Sequence, residues 1–205
     1  AISFPEITEM QVTAILTATA KLINKGKNPN PEIMIPLISS VKEFNHQKLI
    51  IQKIANKIEA KYNLKIKYSI GTMIELPRAC LTANEIAKSA DFFSFGTNDL
   101  TQTTFGFSRD DIGSFIQNYF DNNILQDDPF KTIDKNGVGQ LVKIATEKGR
   151  KVNKKIKIGI CGEHGGDPKS VYFFDNIGLD YVSCSPYRVP IARLSAAKNA
   201  IRNSM

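Results

Sequence analysis

The chain has 205 residues, 42% of them apolar, and a formal net charge of +7, enough apolar side chain to bury the core of one globular unit and too much for a disordered chain. Its lysines are spread along stretches such as residues 21–27 and 148–157 rather than gathered among aromatic side chains, which describes solvated faces and argues against a nucleic-acid reader. Cys80, Cys161 and Cys184 are odd in number and lack CxxC spacing, the opening residues form no leader, and no run approaches a membrane span, so a soluble protein of a reducing cytoplasm is expected, with neither structural zinc nor a membrane partner.

In chain order, helical periodicity over residues 8–24 halts near Gly26, and a short apolar run at 32–37 reads as a strand. A helix at 41–62, a strand at 65–74, a helix at 81–89 and a strand at 92–96 follow. Residues 101–135 are rich in Asp, Asn and Gln and too long for an ordinary connection, so they form either a functional loop or short helices. The remaining elements are a helix at 137–148 with Gly149 as its stop, a strand at 156–160, a helix at 168–176, a strand at 181–184 and a helix at 191–201. Asp167 before Pro168 is a good N-cap followed by a proline suited to the first turn. Helices alternating with apolar strands predict successive βα units around one parallel sheet spanning residues 1–205. Ala1 stands where a methionine would open a complete chain, which allows a start part-way through a longer protein.

Three strands end in polar or reactive residues: Glu75, Thr97-Asn98-Asp99, and Cys161-Gly162-Glu163-His164-Gly165-Gly166. Carboxyl ends of parallel strands form the active face of α/β folds, so these turns are expected to converge. Glu75 and Asp99 suit a pair of oxygen ligands for Mg²⁺, with water and substrate completing the shell; the same spacing also fits Glu75 paired with Arg78 and Asp99 capping its turn. Gly96 allows a close backbone approach, and Thr97 and Asn98 offer a hydroxyl, an amide and main-chain N–H groups to phosphate or carboxylate oxygens. Arg109 suits either an anion clamp or a salt bridge with Asp110 or Asp111. Cys161, in a glycine-rich turn, is either a proton donor or nucleophile or a small buried hydrophobe; Cys80 and Cys184 read as the latter. His164 suits orienting a partner or binding substrate, and His46 reads as a surface residue.

Together, the segments Ile70 to Ala79, Phe92 to Thr101, Gly159 to Gly166 and Tyr181 to Pro190 resemble the pyruvate, phosphate dikinase family. Phosphoenolpyruvate synthase and the first enzyme of the sugar phosphotransferase system share the Gly-Thr-Asn-Asp turn and the cysteine, but usually differ where this chain has Glu163-His164-Gly165-Gly166. The resemblance implies a phosphoenolpyruvate/pyruvate-binding (β/α)₈ TIM barrel of which this chain is the C-terminal part, holding the last five βα units. It implies Mg²⁺ held at Glu75 and Asp99, substrate contacts from Gly96, Thr97 and Asn98, and Cys161 as the acid/base that protonates C3 of enolpyruvate. The implied reaction interconverts ATP, pyruvate and phosphate with AMP, phosphoenolpyruvate and diphosphate through a phosphohistidine. That histidine and the ATP site belong to separate domains, and neither His46 nor His164 matches its motif. Three further strands and two substrate-clamping arginines are expected before Ala1, so the chain alone is expected to be inactive, and the family's barrel suggests a homodimer. A truncated, non-catalytic binding module is the alternative.

Overall fold

The computed structural model describes residues 1–204. Five parallel strands, β1 (Glu32–Ile35), β2 (Ser69–Ile74), β3 (Phe92–Gly96), β4 (Lys157–Cys161) and β5 (Tyr181–Ser183), lie side by side in chain order. Parallel neighbours need crossover connections. These are α2 (Val41–Tyr62), the short helices α3 (Pro77–Leu81) and α4 (Ala83–Ile86), α7 (Val138–Val152) and α8 (Pro168–Asn176). α1 (Pro5–Asn24) packs against α2, and α9 (Val189–Ser204) packs against α8. Among the described residues β1 and β5 are the edges of the sheet.

Local chemistry accounts for the helix ends. Ser40 and Glu43 form a reciprocal capping box at α2: the Glu43 N–H donates to Ser40 Oγ, and Glu43 Oε2 accepts from the Ser40 N–H at 2.9 Å. Asn63 in the left-handed region, φ 50°, ends that helix. Asp167 caps α8 as expected, accepting from the Ser170 N–H at 2.9 Å ahead of Pro168. Gly149 is a correction. It does not stop α7, which continues to Val152; instead the Phe93 ring lies 2.9 Å from where a Cβ would stand, so the glycine admits a close helix–sheet contact. The expected helix at 81–89 is two short helices that begin earlier, at Pro77, and the 101–135 segment contains short helices rather than open loop: the end of α5 (Thr97–Phe105), a 3₁₀ turn at Ile112–Ser114 and α6 (Ile116–Asp121).

Strand alternation gives the sheet two unlike faces. Ile33, Ile35, Ile70, Ile74, Phe93, Phe95, Ile158 and Ile160 point toward the helices and form the main core. The other face carries Glu32, Phe92, Lys157 and Tyr181 toward its base, where Lys157 Nζ lies 3.0 Å from Glu32 Oε1 and 5.1 Å from the centre of the Tyr181 ring. Glu75, Gly96 and Cys161 stand at the opposite, carboxyl end of this face.

An aspartate immediately before β3 and another before β5 each grip the start of the preceding strand. Asp91 donates its N–H to Ile70 O at 2.9 Å and accepts the Ile70 N–H on Oδ2 at 2.7 Å. Asp180 does the same to Ile158, with both bonds at 2.7 Å. Removing such an acceptor strands a partly buried N–H, so Asp91→Ala is expected to destabilise the fold by about 1–3 kcal/mol, read as a lower midpoint in chemical denaturation.

Candidate active site

Register places the site. Phe95 pairs with Ile74 on one side and Ile160 on the other, and Gly96 pairs with Cys161, which pairs with Ser183. Glu75, the residue after Ile74, therefore comes level with Gly96 and Cys161, in a row of neighbours about 5 Å apart. Gly96 has no alternative in this row: a Cβ there would lie 2.3 Å from Glu75 Oε2 and 2.9 Å from the Met73 methyl. Its missing side chain is the space that the Glu75 carboxylate fills.

Glu75 is buried, and its Oε1 accepts the Leu37 N–H at 2.7 Å. Its carboxyl is pushed above the ordinary range by burial, the Leu37 bond opposes that rise, and the neighbouring Asp99 carboxylate adds to it. The alternative partner is elsewhere, because Arg78 donates to Ser39 O. Asp99 lies exposed in the first turn of α5, where no side chain makes a cap hydrogen bond. Two carboxylates held together at the carboxyl end of the sheet, one with a single bonded oxygen, fit a divalent cation that takes one or two protein carboxylates. Among the described residues no group of three or more His, Cys, Asp or Glu is placed to hold a metal by itself, so substrate and water would supply the other ligands.

Thr97 opens α5, a nine-residue helix with Gly96 at its N-cap; its first-turn N–H groups are the donors that suit an anion. The Thr97 side chain is fully buried and turned toward His164, its Oγ1 2.7 Å from Nδ1. Asn98 is half-buried, and its Oδ1, an acceptor, is buried without a hydrogen-bond partner. Gly162, at φ +119°, arches past both residues; a Cβ there would lie 3.3 Å from Thr97 Oγ1 and from Asn98 Oδ1.

Cys161 is half-buried and its Sγ donates to Phe95 O at 3.7 Å. Burial pushes its thiol up, the hydroxyl of Ser94 opposes that, and the charges of Glu75 and Asp99 reinforce it. The side chain therefore keeps its proton at neutral pH beside the two carboxylates. Cys80 is the small buried hydrophobe expected of it, its thiol pushed up to about 12 by burial. Cys184 departs from that expectation: it is half-buried and lines a cleft with Gly162, Glu163 and Arg188. Arg109 meets neither Asp110 nor Asp111; its Nη2 lies 3.8 Å from Glu163 Oε1 across the mouth of the β4 turn, with both side chains about half exposed. His46 is a surface residue. His164, read from the sequence as orienting a partner or binding substrate, is completely buried and in contact with Thr97.

Residues 1–201 match the family model of the PEP-utilising enzyme, PEP-binding domain. The chain belongs to this family. PEP-binding domain relatives include pyruvate, phosphate dikinase of Flaveria trinervia, 60% identical over 96% of this chain and 21% of that protein. Pyruvate, phosphate dikinase 2 of Zea mays and pyruvate, phosphate dikinase 1 of Arabidopsis thaliana are each 59% identical over 96% of this chain and 22% and 20% of their own lengths. The chain thus spans about a fifth of the length of the curated relatives it matches. A crystal structure of a citrate lyase from Burkholderia xenovorans superposes with a TM-score of 0.53 at 12% identity, covering 80% of this chain and 48% of that one. The shared fold is TIM-barrel-like, and this PEP-binding domain carries five of its parallel strands. Among the described residues no helix is long and apolar enough to cross a membrane.

The raised carboxyl of Glu75 has a cost with a definite sign. The folded chain holds that proton more tightly than the unfolded chain, so stability falls as pH rises from the ordinary glutamate value of 4.5 through the higher folded value. Glu75→Gln, which keeps an acceptor for Leu37, is therefore expected to raise the midpoint of thermal unfolding at pH 7 in metal-free buffer. The gain is expected to vanish below pH 4.5, where glutamate is neutral in both states.

Proposed function

We propose that this chain is the C-terminal part of the phosphoenolpyruvate/pyruvate-binding barrel of a pyruvate, phosphate dikinase, with Glu75, Gly96, Thr97, Asn98, Asp99 and Cys161 as its share of the substrate site. The single observation that carries the reading is the row across the sheet. A carboxylate pair, a helix N-terminus and a protonated thiol stand at adjacent strand ends, and enolpyruvate chemistry needs all three. Family membership and the dikinase relatives support it.

Glu75 and Asp99 would hold Mg²⁺, which supplies electrostatic stabilisation of negative charge on substrate oxygens. The first-turn N–H groups of α5 and the Asn98 amide bind the phosphate, orienting the three-carbon skeleton across the Gly96 gap toward Cys161. When phosphoryl has left, Cys161 gives its proton to C3: the Sγ–H bond breaks, the C3–H bond forms from the enolate π electrons, and the oxygen returns to a ketone. The Ser94 hydroxyl, which favours the charged form of the sulfur, steadies the thiolate that remains. In the other direction that thiolate removes the C3 proton. Phosphoryl moves to a histidine on a separate swivelling domain. His164, sealed from solvent, is not suited to receive it. The ATP-binding domain, the substrate-clamping arginines and a second copy of the barrel complete the assembly in this reading. Three free cysteines fit a reducing compartment, the cytoplasm.

Exposed apolar side chains at the β1 edge, Met34 at 40% and Leu37 at 60%, favour a second reading of the isolated chain as a module that needs a covering partner. The two readings separate on a titration of phosphoenolpyruvate with Mg²⁺ into the chain. Weak binding is expected if the half-site is competent alone, and none at millimolar ligand would leave only the module.

In the full dikinase, Cys161→Ala is expected to lower pyruvate formation by roughly 10²–10⁴-fold, the range for loss of a positioned acid, with Mg²⁺ affinity unchanged. Normal turnover in that variant, with normal exchange of the C3 protons of pyruvate, would refute the proton-donor role.

A further inference from the structure

His164 is fully buried, and both ring nitrogens are engaged: Nδ1 lies 2.7 Å from Thr97 Oγ1 and Nε2 lies 2.8 Å from Pro129 O. A carbonyl oxygen only accepts, so Nε2 must carry hydrogen. Burial favours the neutral ring, against the pull of the Pro129 carbonyl and the carboxylates of Asp167, Asp128 and Glu163. In a neutral ring with Nε2–H, Nδ1 is bare, and the Thr97 hydroxyl must donate to it. That hydrogen is then unavailable to any ligand, and the first residue of α5 is pinned from beneath.

We infer that His164 is a positioning residue: a neutral Nε2–H imidazole that holds Thr97 inward and so aims the N–H groups of the α5 N-terminus at the bound anion. It also ties three distant stretches together, the end of β3, the turn after β4, and residues 128–130 at the far side of the long insertion. That last stretch is itself fixed, because Asp128 Oδ1 accepts the Phe130 N–H at 2.9 Å and the Ile133 N–H donates to Ser170 Oγ at 2.9 Å. Phe130 is buried. The histidine is therefore a rigid strut between a held loop and the anion-binding turn, with no contact of its own to substrate.

The inference rests on the proposed function for its kinetic arm and on the ring alone for its spectroscopic one. ¹⁵N NMR of the chain, whose two histidines are His46 and His164, is assigned by signal loss in His46→Gln and His164→Asn. It is expected to show the Nε2–H tautomer for His164 from about pH 7 to 8.5, with protonation falling below the ordinary histidine value of 6.5. An Nδ1–H tautomer or an imidazolium in that range overturns the assignment, whether or not any variant folds. In the full-length polypeptide, His164→Leu is expected to raise KM for phosphoenolpyruvate about tenfold with kcat within about threefold, the signature of lost ground-state positioning. His164→Asn, whose carbonyl can still accept from Thr97, is expected to recover part of the loss in KM. A fall in kcat with KM unchanged, or equal losses in Leu and Asn variants, would contradict the strut. Failure of the wild-type polypeptide to bind phosphoenolpyruvate would remove the function proposed above, while the Nε2–H tautomer would still support this one.

Discussion

The register of the parallel sheet is the constraint on which everything else in this molecule depends. Because Ile74, Phe95 and Ile160 sit level on the helix-facing side, the residues one step further along are brought level on the other side, and those are Glu75, Gly96 and Cys161. A slip of one residue at either strand pair would invert every side chain. The buried phenylalanines and isoleucines beneath the helices thus fix the chemistry indirectly: the main core, which touches no ligand, sets which polar groups meet at the strand ends.

The two ends of the strands divide their labour. At the amino ends, Asp91 and Asp180 close the hydrogen bonding of β2 and β4 and strengthen the sheet. At the carboxyl ends, a buried carboxylate faces another, and a thiol is held protonated by burial and by their field. Unfavourable electrostatics are concentrated where a ligand would relieve them, a pattern expected of functional sites rather than of surfaces selected for stability alone. Gly96 makes the arrangement possible, since any side chain there would expel the Glu75 carboxylate from its place.

Much of this was legible in the sequence. The helices Val41–Tyr62 and Pro168–Asn176 and the strand Phe92–Gly96 have the expected bounds, because strong periodicity coincides with caps at Ser40 and Asp167 and with a polar turn after Gly96. The convergence of Glu75, Thr97-Asn98-Asp99 and Cys161 followed from their shared place at strand ends. What was not legible depended on contacts distant in the chain. Gly149 looked like a helix stop because nothing local reveals that Phe93 will press on it. Arg109 was open between an anion clamp and a salt bridge with Asp110 or Asp111, whereas the fold carries it to Glu163. The inward turn of Thr97 was hidden for the same reason: its partner lies 67 residues away.

The two aspartate grips sit on alternate joints of the sheet: Asp91 fastens β3 to β2, and Asp180 fastens β5 to β4. The joint between them is of another kind, because β3 and β4 pair along their whole lengths, from Phe92–Lys157 to Gly96–Cys161. At the amino end the Glu32–Lys157 ion pair also reaches across it from β1 to β4. The carboxylate and the Gly96 gap lie on one side of that joint and the thiol on the other. The distance from carboxylate to acid is therefore a property of the backbone ladder, which substitutions among the helices leave in place.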